Sequence, residues 1–292
     1  MFQGTHTALV TPFTDDLVDE AAFARLIEAQ VAGGVAGIVP VGTTNESPTL
    51  NHTEHMRVIE LCIQCAAGRV KVIAGTGSNS TREAVAMTGE AGQLGADAAL
   101  LVAPYYNKPS PEGLFRHFAA IAESTKLPLI LYSIPGRCGV EIDVATTARL
   151  AEKFSNIVAI KEAGGSVERV SALRAATPPA FEILSGDDSL TLPFMAAGAV
   201  GVISVASNIV PAKVVALVKA ALTGDFGKAR GLHFQLYALF KDLFIEPNPA
   251  PIKHALALQG RMSRDVRLPL CEMSEGTAAK LEATLRQLQL IP

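Results

Sequence analysis

Eight short apolar segments alternate with amphipathic segments up to about residue 222, and this alternation restricts the fold more than any other feature. Each apolar segment has the length of a strand that is covered on both faces. The segments are THTALVTPF, GIVPVG, KVIAGTG, AALLVAP, PLILYSI, IVAIKEA, EILSGD and GVISVAS. Because parallel neighbours need a crossover connection, strand–helix repeats indicate an all-parallel sheet. Eight repeats predict an α/β fold of the closed (β/α)8 TIM-barrel type.

An open, doubly wound sheet is the competing architecture. Such a sheet usually carries a glycine-rich dinucleotide-binding turn after an early strand. The segment GTGSNS has the first two glycines of that pattern, but Ser80 stands where the third glycine is needed. The dinucleotide interpretation therefore fails, and the barrel is favoured.

After Ser207 the pattern changes to helices only, with a proline-rich turn, EPNPAP, at residues 246–251. We therefore predict two regions in the chain. Residues 1–222 form the catalytic barrel, and residues 223–292 form a C-terminal helical region.

Composition and charge exclude several classes of protein. Of the 292 residues, 49% are hydrophobic and 18% are charged, and the net charge is −3 with no basic tract. This distribution gives no electrostatic footprint for nucleic acid. No apolar run approaches the roughly 18–20 residues of a membrane helix. The first residues, MFQGTHTALVTPF, lack the pattern of a signal peptide. We therefore expect a cytoplasmic protein without membrane contacts.

The four cysteines predict no metal site. Cys62 and Cys65 form a C-x-x-C pair inside an amphipathic helical pattern, and no second pair follows at zinc-ribbon spacing. A place in the core of a helix is the favoured interpretation. Cys138 and Cys271 are isolated, which suits a reducing compartment.

Polar side chains stand at the carboxyl ends of the predicted strands, where the active sites of such barrels lie. They are Thr43, Thr44, Tyr105, Tyr106, Tyr132, Arg137 and Lys161. Burial favours the neutral form of a lysine, and a neutral amine can attack a ketone to form an imine. Tyrosine and threonine hydroxyls can pass protons, and backbone N–H groups of the GTT turn can hold a carboxylate. No cluster of metal ligands and no Ser or Cys nucleophile with a His base is seen. The set indicates a lyase or aldolase that acts on a 2-oxo acid without a metal or cofactor.

Each of these residues also has a simpler interpretation. Lys161 could be a solvent-tipped lysine at a strand end, paired with Glu162. Tyr105 and Tyr106 could be packing or interface aromatics, and the two threonines could form a turn that caps the next helix. Their convergence on one rim favours the functional interpretation.

The same residues resemble the dihydrodipicolinate synthase branch of the class I, pyruvate-dependent aldolase family. The resemblance covers essentially the whole chain. It runs through TALVTPF, GTTNESPTLNHTEH, GTGSN, APYYNKPS, SIPGRCGV, IKEA, LSGDD, GVISVASN, EPNP and RLPL. It implies condensation of pyruvate with L-aspartate 4-semialdehyde to 4-hydroxy-tetrahydrodipicolinate, in lysine (diaminopimelate) biosynthesis.

The resemblance also implies a role for each site residue. Lys161 matches the Schiff-base lysine, and Tyr132, Thr43 and Tyr106 match a proton relay in which Tyr106 comes from a neighbouring subunit. Thr44 matches the residue whose backbone holds the pyruvate carboxylate. Gly186 and Ile203 match the lining of the pyruvate pocket. No metal or organic cofactor is implied, and the usual assembly is a homotetramer built as a dimer of dimers.

Arg137 carries the argument for the second substrate. It matches the arginine at the pocket entrance that holds the carboxylate of aspartate semialdehyde, and a guanidinium suits such bidentate binding. Relatives that cleave sugar acids commonly differ at this position. A related aldolase that cleaves a 4-hydroxy-2-oxo acid or sugar acid is the alternative function, and a catalytically silent barrel is a further one.

Inhibition by lysine is also implied, because the chain keeps most residues of the family's allosteric site. They are Ser47, His52, His55, Asn79, Glu83 and Tyr105. The two histidines could instead lie on the first turn of a helix that Asn51 and Glu54 cap. A metal-binding His-x-x-His pair is a third interpretation, although no third ligand is obvious.

Two positions depart from the family pattern. Asn45 stands where a glycine is usual, and we expect it to keep a left-handed turn, with a side chain that could reach the pocket. Pro48 replaces a small residue beside the expected lysine site, which it could stiffen or reshape.

Overall fold

The computed structural model describes residues 1–292, and its central feature is a closed barrel of eight parallel strands. The barrel strands are β1 (Gly4–Ala8), β4 (Gly37–Val39), β5 (Lys71–Gly75), β6 (Ala98–Val102), β7 (Leu129–Ser133), β8 (Ile157–Glu162), β9 (Glu182–Ser185) and β10 (Gly201–Ser204). Seven of them fall inside the predicted apolar segments, and β1 begins one residue before its segment THTALVTPF. The fold prediction is confirmed. A small antiparallel hairpin, β2 (Phe13–Thr14) with β3 (Leu17–Val18), was not predicted.

Helices follow the strands around the barrel and continue beyond it. They are α1 (Glu20–Ala32), α2 (His52–Ala66), α3 (Thr81–Leu94), α4 (Pro111–Ser124), α5 (Pro135–Cys138), α6 (Val144–Lys153), α7 (Val167–Ala176), α8 (Thr191–Ala196), α9 (Pro211–Leu222), α10 (Phe226–Asp242), α11 (Ala250–Leu258) and α12 (Glu275–Gln287). Short 3-10 turns occupy residues 43–45, 47–49 and 206–208. No helix is both long and apolar enough to cross a membrane.

The barrel closes because β1 pairs on both of its edges. Thr7 is in register with Ile38 of β4 on one side and with Ser204 of β10 on the other. Gly201 permits this closure, since a Cβ there would lie 2.0 Å from the carbonyl oxygen of Gly4. A side chain at Gly201 would therefore force the first and last strands apart.

Side chains alternate between the barrel interior and the layer under the helices, as strand geometry requires. Ile130, Tyr132 and Leu184 belong to the inner apolar cluster, whereas Leu131 and Ile160 belong to the outer one. The outer cluster is the largest and includes residues of α9, α10, α11 and α12. The C-terminal helices therefore pack on the same core as the barrel helices.

The division of the chain at residue 222 stays a prediction. The end of α9 at Leu222 coincides with it. The proline-rich turn leads into α11, which begins at Ala250.

Candidate active site

The structure places the predicted lysine in the interior of the barrel. Lys161 lies in β8, and its Cα is in register with Tyr132 of β7 and Leu184 of β9. Its side chain follows Ala159 onto the inner face, while Glu162 takes the opposite face. Glu162 bonds to Arg169 at 2.9 Å. The alternative of a solvent-tipped lysine paired with Glu162 is therefore wrong, because Lys161 is only 7% exposed.

Burial changes the chemistry of the Lys161 amine. Loss of solvent lowers the pKa of Lys161 to about 7, although the negative charge of Asp188 opposes this shift. The positive charge of Arg137 lowers the pKa further. A substantial fraction of the amine is therefore neutral near pH 7, which nucleophilic attack requires.

Tyr132 lies directly against this amine. The Nζ atom of Lys161 is 4.1 Å from the centroid of the Tyr132 ring. Burial raises the pKa of Tyr132 to about 12, and the neighbouring side chain of Thr43 opposes this rise. The phenol therefore stays protonated and can exchange a proton with groups at the amine.

Thr43 and Thr44 lie in the 3-10 turn that follows β4. The first amides of such a turn have no partner within it, so those of Thr43 and Thr44 can bind an anion. The hydroxyl of Thr44 accepts a hydrogen bond of 3.0 Å from Asn248 Nδ2. Asn248, which was not predicted as a site residue, also accepts a bond of 3.4 Å at its carbonyl from Arg137 Nη2.

The expectation that Asn45 takes the left-handed conformation is wrong. Glu46 does so instead, with a φ of 59° and a ψ of 38°. Asn45 is fully buried, and its Oδ1 accepts a bond of 3.0 Å from the amide of Gly42. The side chain of Asn45 thus closes its own turn and does not line the cavity described next.

A cavity of about 250 Å³ opens at this rim. Its walls include Thr43, Tyr132 and Arg137, together with Tyr105 and Pro48. The volume suits a small substrate. Arg137 is the wall residue with a full positive charge, and it can bind a carboxylate.

Gly186 lies beside the side chain of Lys161, and Ile203 shares an apolar cluster with Tyr132. A Cβ at Gly186 would lie 3.1 Å from Lys161 Cε and 2.7 Å from Ala163 Cβ, so a side chain would crowd the lysine. Ile203 is buried in the inner apolar cluster with Tyr132.

Asp188 is a polar group near Lys161 that was not singled out from the sequence. Its carboxylate accepts hydrogen bonds from the Ser204 hydroxyl and from the amides of Val205 and Ala206, at 3.0 and 2.9 Å. Burial raises the pKa of Asp188 to about 6 despite these donors. Its position after β9 in SGDD, at the active rim, was the available signal.

Tyr106 is not brought to the site within one chain. Its side chain is 89% exposed, and its φ of 73° is in the left-handed region that residues other than glycine rarely adopt. The structure therefore brings together Lys161, Tyr132 and Thr43 and leaves Tyr106 facing outward.

The residues predicted to bind lysine are only partly grouped. Asn79 Nδ2 donates to the carbonyl of Tyr105 at 3.2 Å, and Glu83 accepts from the hydroxyl of Ser78. Ser47 lines the cavity. These contacts lie within one chain and leave the role of the residues a prediction.

The two predicted histidines have separate partners. His52 pairs with Glu90 at 2.9 Å, and His55 bonds to the carbonyl of Gly75 at 2.8 Å. The capping box of Asn51 and Glu54 is confirmed. No group of three His, Cys, Asp or Glu side chains is arranged to hold a metal ion.

Comparison with known proteins decides the family. Residues 1–288 match the model of the dihydrodipicolinate synthetase family. The chain belongs to this family. A 4-hydroxy-tetrahydrodipicolinate synthase of Geotalea daltonii is 53% identical over 291 residues, which cover 100% of each chain. The family resemblance is thereby confirmed.

Solved structures of the family agree with this fold. The synthase of Methylacidiphilum fumariolicum SolV is 55% identical, with a TM-score of 0.98 over 99% of this chain and 96% of that one. The chloride-inhibited synthase of Acinetobacter baumannii, complexed with pyruvate, is 44% identical, with a TM-score of 0.97 over 100% of both chains. The synthase of Cyanidioschyzon merolae with lysine bound is 39% identical, with a TM-score of 0.97 over 99% of both chains.

Replacement of Lys161 by methionine should stabilise the fold in a pH-dependent way. The pKa of Lys161 is about 7 in the folded chain, below the ordinary value of 10.5, so the folded state binds fewer protons between these values. Stability therefore rises with pH across this window, and the cost of burying the charge is fully present below pH 7. We expect Lys161→Met to raise the free energy of unfolding by about 2–4 kcal/mol at pH 6 and by roughly half as much at pH 9.

Urea unfolding at the two pH values measures this difference. The exposed Lys241 provides a matched control, because Lys241→Met should change stability little and equally at both pH values. A gain for Lys161→Met that is the same at pH 6 and pH 9 would contradict a charge cost at Lys161.

Proposed function

We propose that this chain is a 4-hydroxy-tetrahydrodipicolinate synthase, a lyase that condenses pyruvate with L-aspartate 4-semialdehyde in lysine (diaminopimelate) biosynthesis. The observation that carries the mechanism is the buried Lys161, whose pKa is lowered to about 7. Its Nζ lies 4.1 Å from the ring centroid of Tyr132, whose phenol is protonated. The family relationship and the names of relatives at about 50% identity support the same activity.

In the proposed first stage, the neutral amine of Lys161 attacks the ketone carbon of pyruvate. Loss of water from the addition product gives an imine, and Tyr132 supplies and takes back the protons, relayed through Thr43. Removal of a proton from the methyl carbon of the imine gives an enamine. The amides of the turn at Thr44 hold the pyruvate carboxylate, while Gly186 and Ile203 bound the space around the imine.

In the second stage, the enamine carbon attacks the aldehyde carbon of the semialdehyde, and the new alkoxide takes up a proton. The amino group of the semialdehyde then adds to the imine carbon, and expulsion of the Lys161 amine closes the ring. No step in this sequence calls for a metal or an organic cofactor. Arg137 binds the semialdehyde carboxylate at the cavity wall.

A further part of the proposal is that Tyr106 completes the relay in a neighbouring subunit. Its outward side chain and left-handed backbone support this role, since such a conformation costs energy and is often retained for function. The assembly we propose is a homotetramer built as a dimer of dimers.

Lysine is proposed as an inhibitor, bound near Tyr105 and Asn79 with Ser47, His52, His55 and Glu83. The lysine-bound relative from Cyanidioschyzon merolae supports this proposal. Cytoplasmic localisation is also proposed. It is supported by four free cysteines, which suit a reducing compartment.

Incubation with pyruvate and borohydride tests the imine directly. Reduction of the imine should leave one pyruvate-derived adduct per chain, which peptide mass spectrometry should locate at Lys161. Lys161→Arg is the matched control, because a guanidinium stays protonated and should give no adduct. An adduct at another lysine, or none on the wild-type protein, would overturn the mechanism.

The role of Arg137 predicts a selective loss of affinity for the second substrate. A charge-assisted hydrogen bond contributes about 1.5–3 kcal/mol, so Arg137→Ala should raise the KM for aspartate semialdehyde by roughly 10- to 100-fold. The KM for pyruvate should change by less than about 3-fold. Arg137→Lys should recover part of the loss. An equal rise in both KM values would contradict this assignment, and preferred turnover of a sugar acid would favour the alternative aldolase.

The proposed action of Tyr106 across the interface predicts complementation between two inactive variants. Tyr106→Phe and Lys161→Ala are refolded together, so that a mixed dimer has one site with both wild-type groups. Random pairing should restore activity to about a quarter of the wild-type value, whereas each variant alone stays low. If Tyr106 acted within its own chain, the mixture would be no more active than the two variants measured separately.

A further inference from the structure

A buried ion pair joins the active-site turn to the C-terminal helices. Glu46 directly follows the turn at residues 43–45, and Lys253 lies in α11. Both side chains are fully buried, and Lys253 Nζ contacts Glu46 Oε1 as an ion pair. Burial of two charges is costly unless the pair is well held, so this arrangement must be fixed by further contacts.

Glu46 closes the turn with its backbone and anchors it with its side chain. Its amide donates to the carbonyl of Thr43 at 3.0 Å, in the left-handed conformation that is unfavourable for residues other than glycine. The second carboxylate oxygen, Oε2, accepts a bond of 2.9 Å from the amide of Arg267. Both oxygens of Glu46 are therefore held by residues of the C-terminal region.

Lys253 is itself fixed in place. Its Nζ donates to the carbonyl of Asp265 at 2.8 Å and lies 4.1 Å from the centroid of the Phe13 ring. The ammonium therefore has three partners of different kinds, which leaves it little freedom to follow a shift of the turn.

The same C-terminal segment reaches the turn at a second point. Asn248, two residues before α11, donates to the hydroxyl of Thr44, and its carbonyl accepts from Arg137. Two anchors, one at Thr44 and one at Glu46, thus hold the turn on the segment from residue 248 to residue 253.

We propose that Glu46 and Lys253 are positioning residues of the synthase. Neither touches substrate. Their ion pair holds the turn so that the Thr43 hydroxyl faces Tyr132 and the amides of Thr43 and Thr44 point toward the pyruvate carboxylate. This proposal rests on the proposed function of Thr43 and Thr44. It also makes the C-terminal helices a required part of the active site.

Separation of stability from kinetics tests the proposal. Lys253→Met leaves the Glu46 carboxylate buried without its partner and should lower the melting temperature. The double variant Glu46→Gln/Lys253→Met is neutral at both positions and should regain most of the lost stability. It should not regain function. The KM for pyruvate should stay raised by roughly 10-fold and kcat lowered by roughly 10- to 100-fold, because a small displacement of the reacting groups is costly.

A control within the same region excludes a general effect of destabilisation. Asp242→Asn weakens the contacts of α10 with Lys280 and Thr284 of α12. It should lower the melting temperature and leave both KM values unchanged. Should Lys253→Met not fold, Glu46→Gln alone carries the test. The side-chain carbonyl oxygen of the glutamine can still accept the hydrogen bond from the Arg267 backbone amide. The same rise in the KM for pyruvate is expected.

Two results would overturn the positioning role. One is a double variant whose kinetics return to wild type together with its stability, and the other is an equal KM shift in Asp242→Asn. Borohydride trapping on the wild-type enzyme distinguishes a failure of the positioning role from a failure of the proposed function. An adduct at Lys161 combined with unaffected variants overturns the positioning role alone, whereas no adduct overturns the proposed function as well.

Discussion

The amine of Lys161 is held in the barrel interior at the end of β8, where loss of water opposes its charge. Two neighbours of opposite sign act on it from different strand ends. Asp188 favours the protonated amine and Arg137 favours the neutral one. The balance leaves the pKa of Lys161 near 7, so that the amine is available as a nucleophile while a proton source lies close by. The rest of the rim is arranged around this amine.

The closed barrel is what brings these groups together. Each comes from a different strand end, and only a parallel sheet places all of those ends on one rim. The register of β7 and β8 sets Tyr132 beside Lys161. A shift of one residue would turn Tyr132 to the outer face and place Leu131 or Ser133 beside the lysine. The register of β7 and β8 therefore determines which side chain lies beside the amine of Lys161.

The strands and the position of Lys161 at the end of β8 could be predicted from the sequence because their signals are local. An apolar run followed by a polar residue is visible within ten residues, and eight such runs identify the barrel. Contacts between distant segments carry no such signal. The hydrogen bond from Asn248 to Thr44 and the ion pair of Lys253 with Glu46 connect the first quarter of the chain with its last. Neither Asn248 nor Lys253 was predicted from the sequence as a site residue.

The turn after β4 shows a second limit of local signals. Asn is a common left-handed residue, so Asn45 was the expected choice, but the structure gives that conformation to Glu46. The reason lies outside the turn. The carboxylate of Glu46 is bound by Lys253 and by the amide of Arg267, and these contacts offset the backbone cost. Asn45 is then free to use its Oδ1 as an internal cap for Gly42.

The active site combines residues on rigid strands with residues on a turn that distant contacts hold. The barrel alone supplies Lys161 and Tyr132 from adjacent strands, which are rigid, whereas Thr43 and Thr44 lie in a turn that strand pairing does not hold. Catalytic groups must be placed to within a fraction of an ångström, and loops alone rarely achieve this. The C-terminal segment provides the missing restraint at Thr44 and Glu46. The helices that follow the barrel therefore contribute to the precision of the active site as well as to the core.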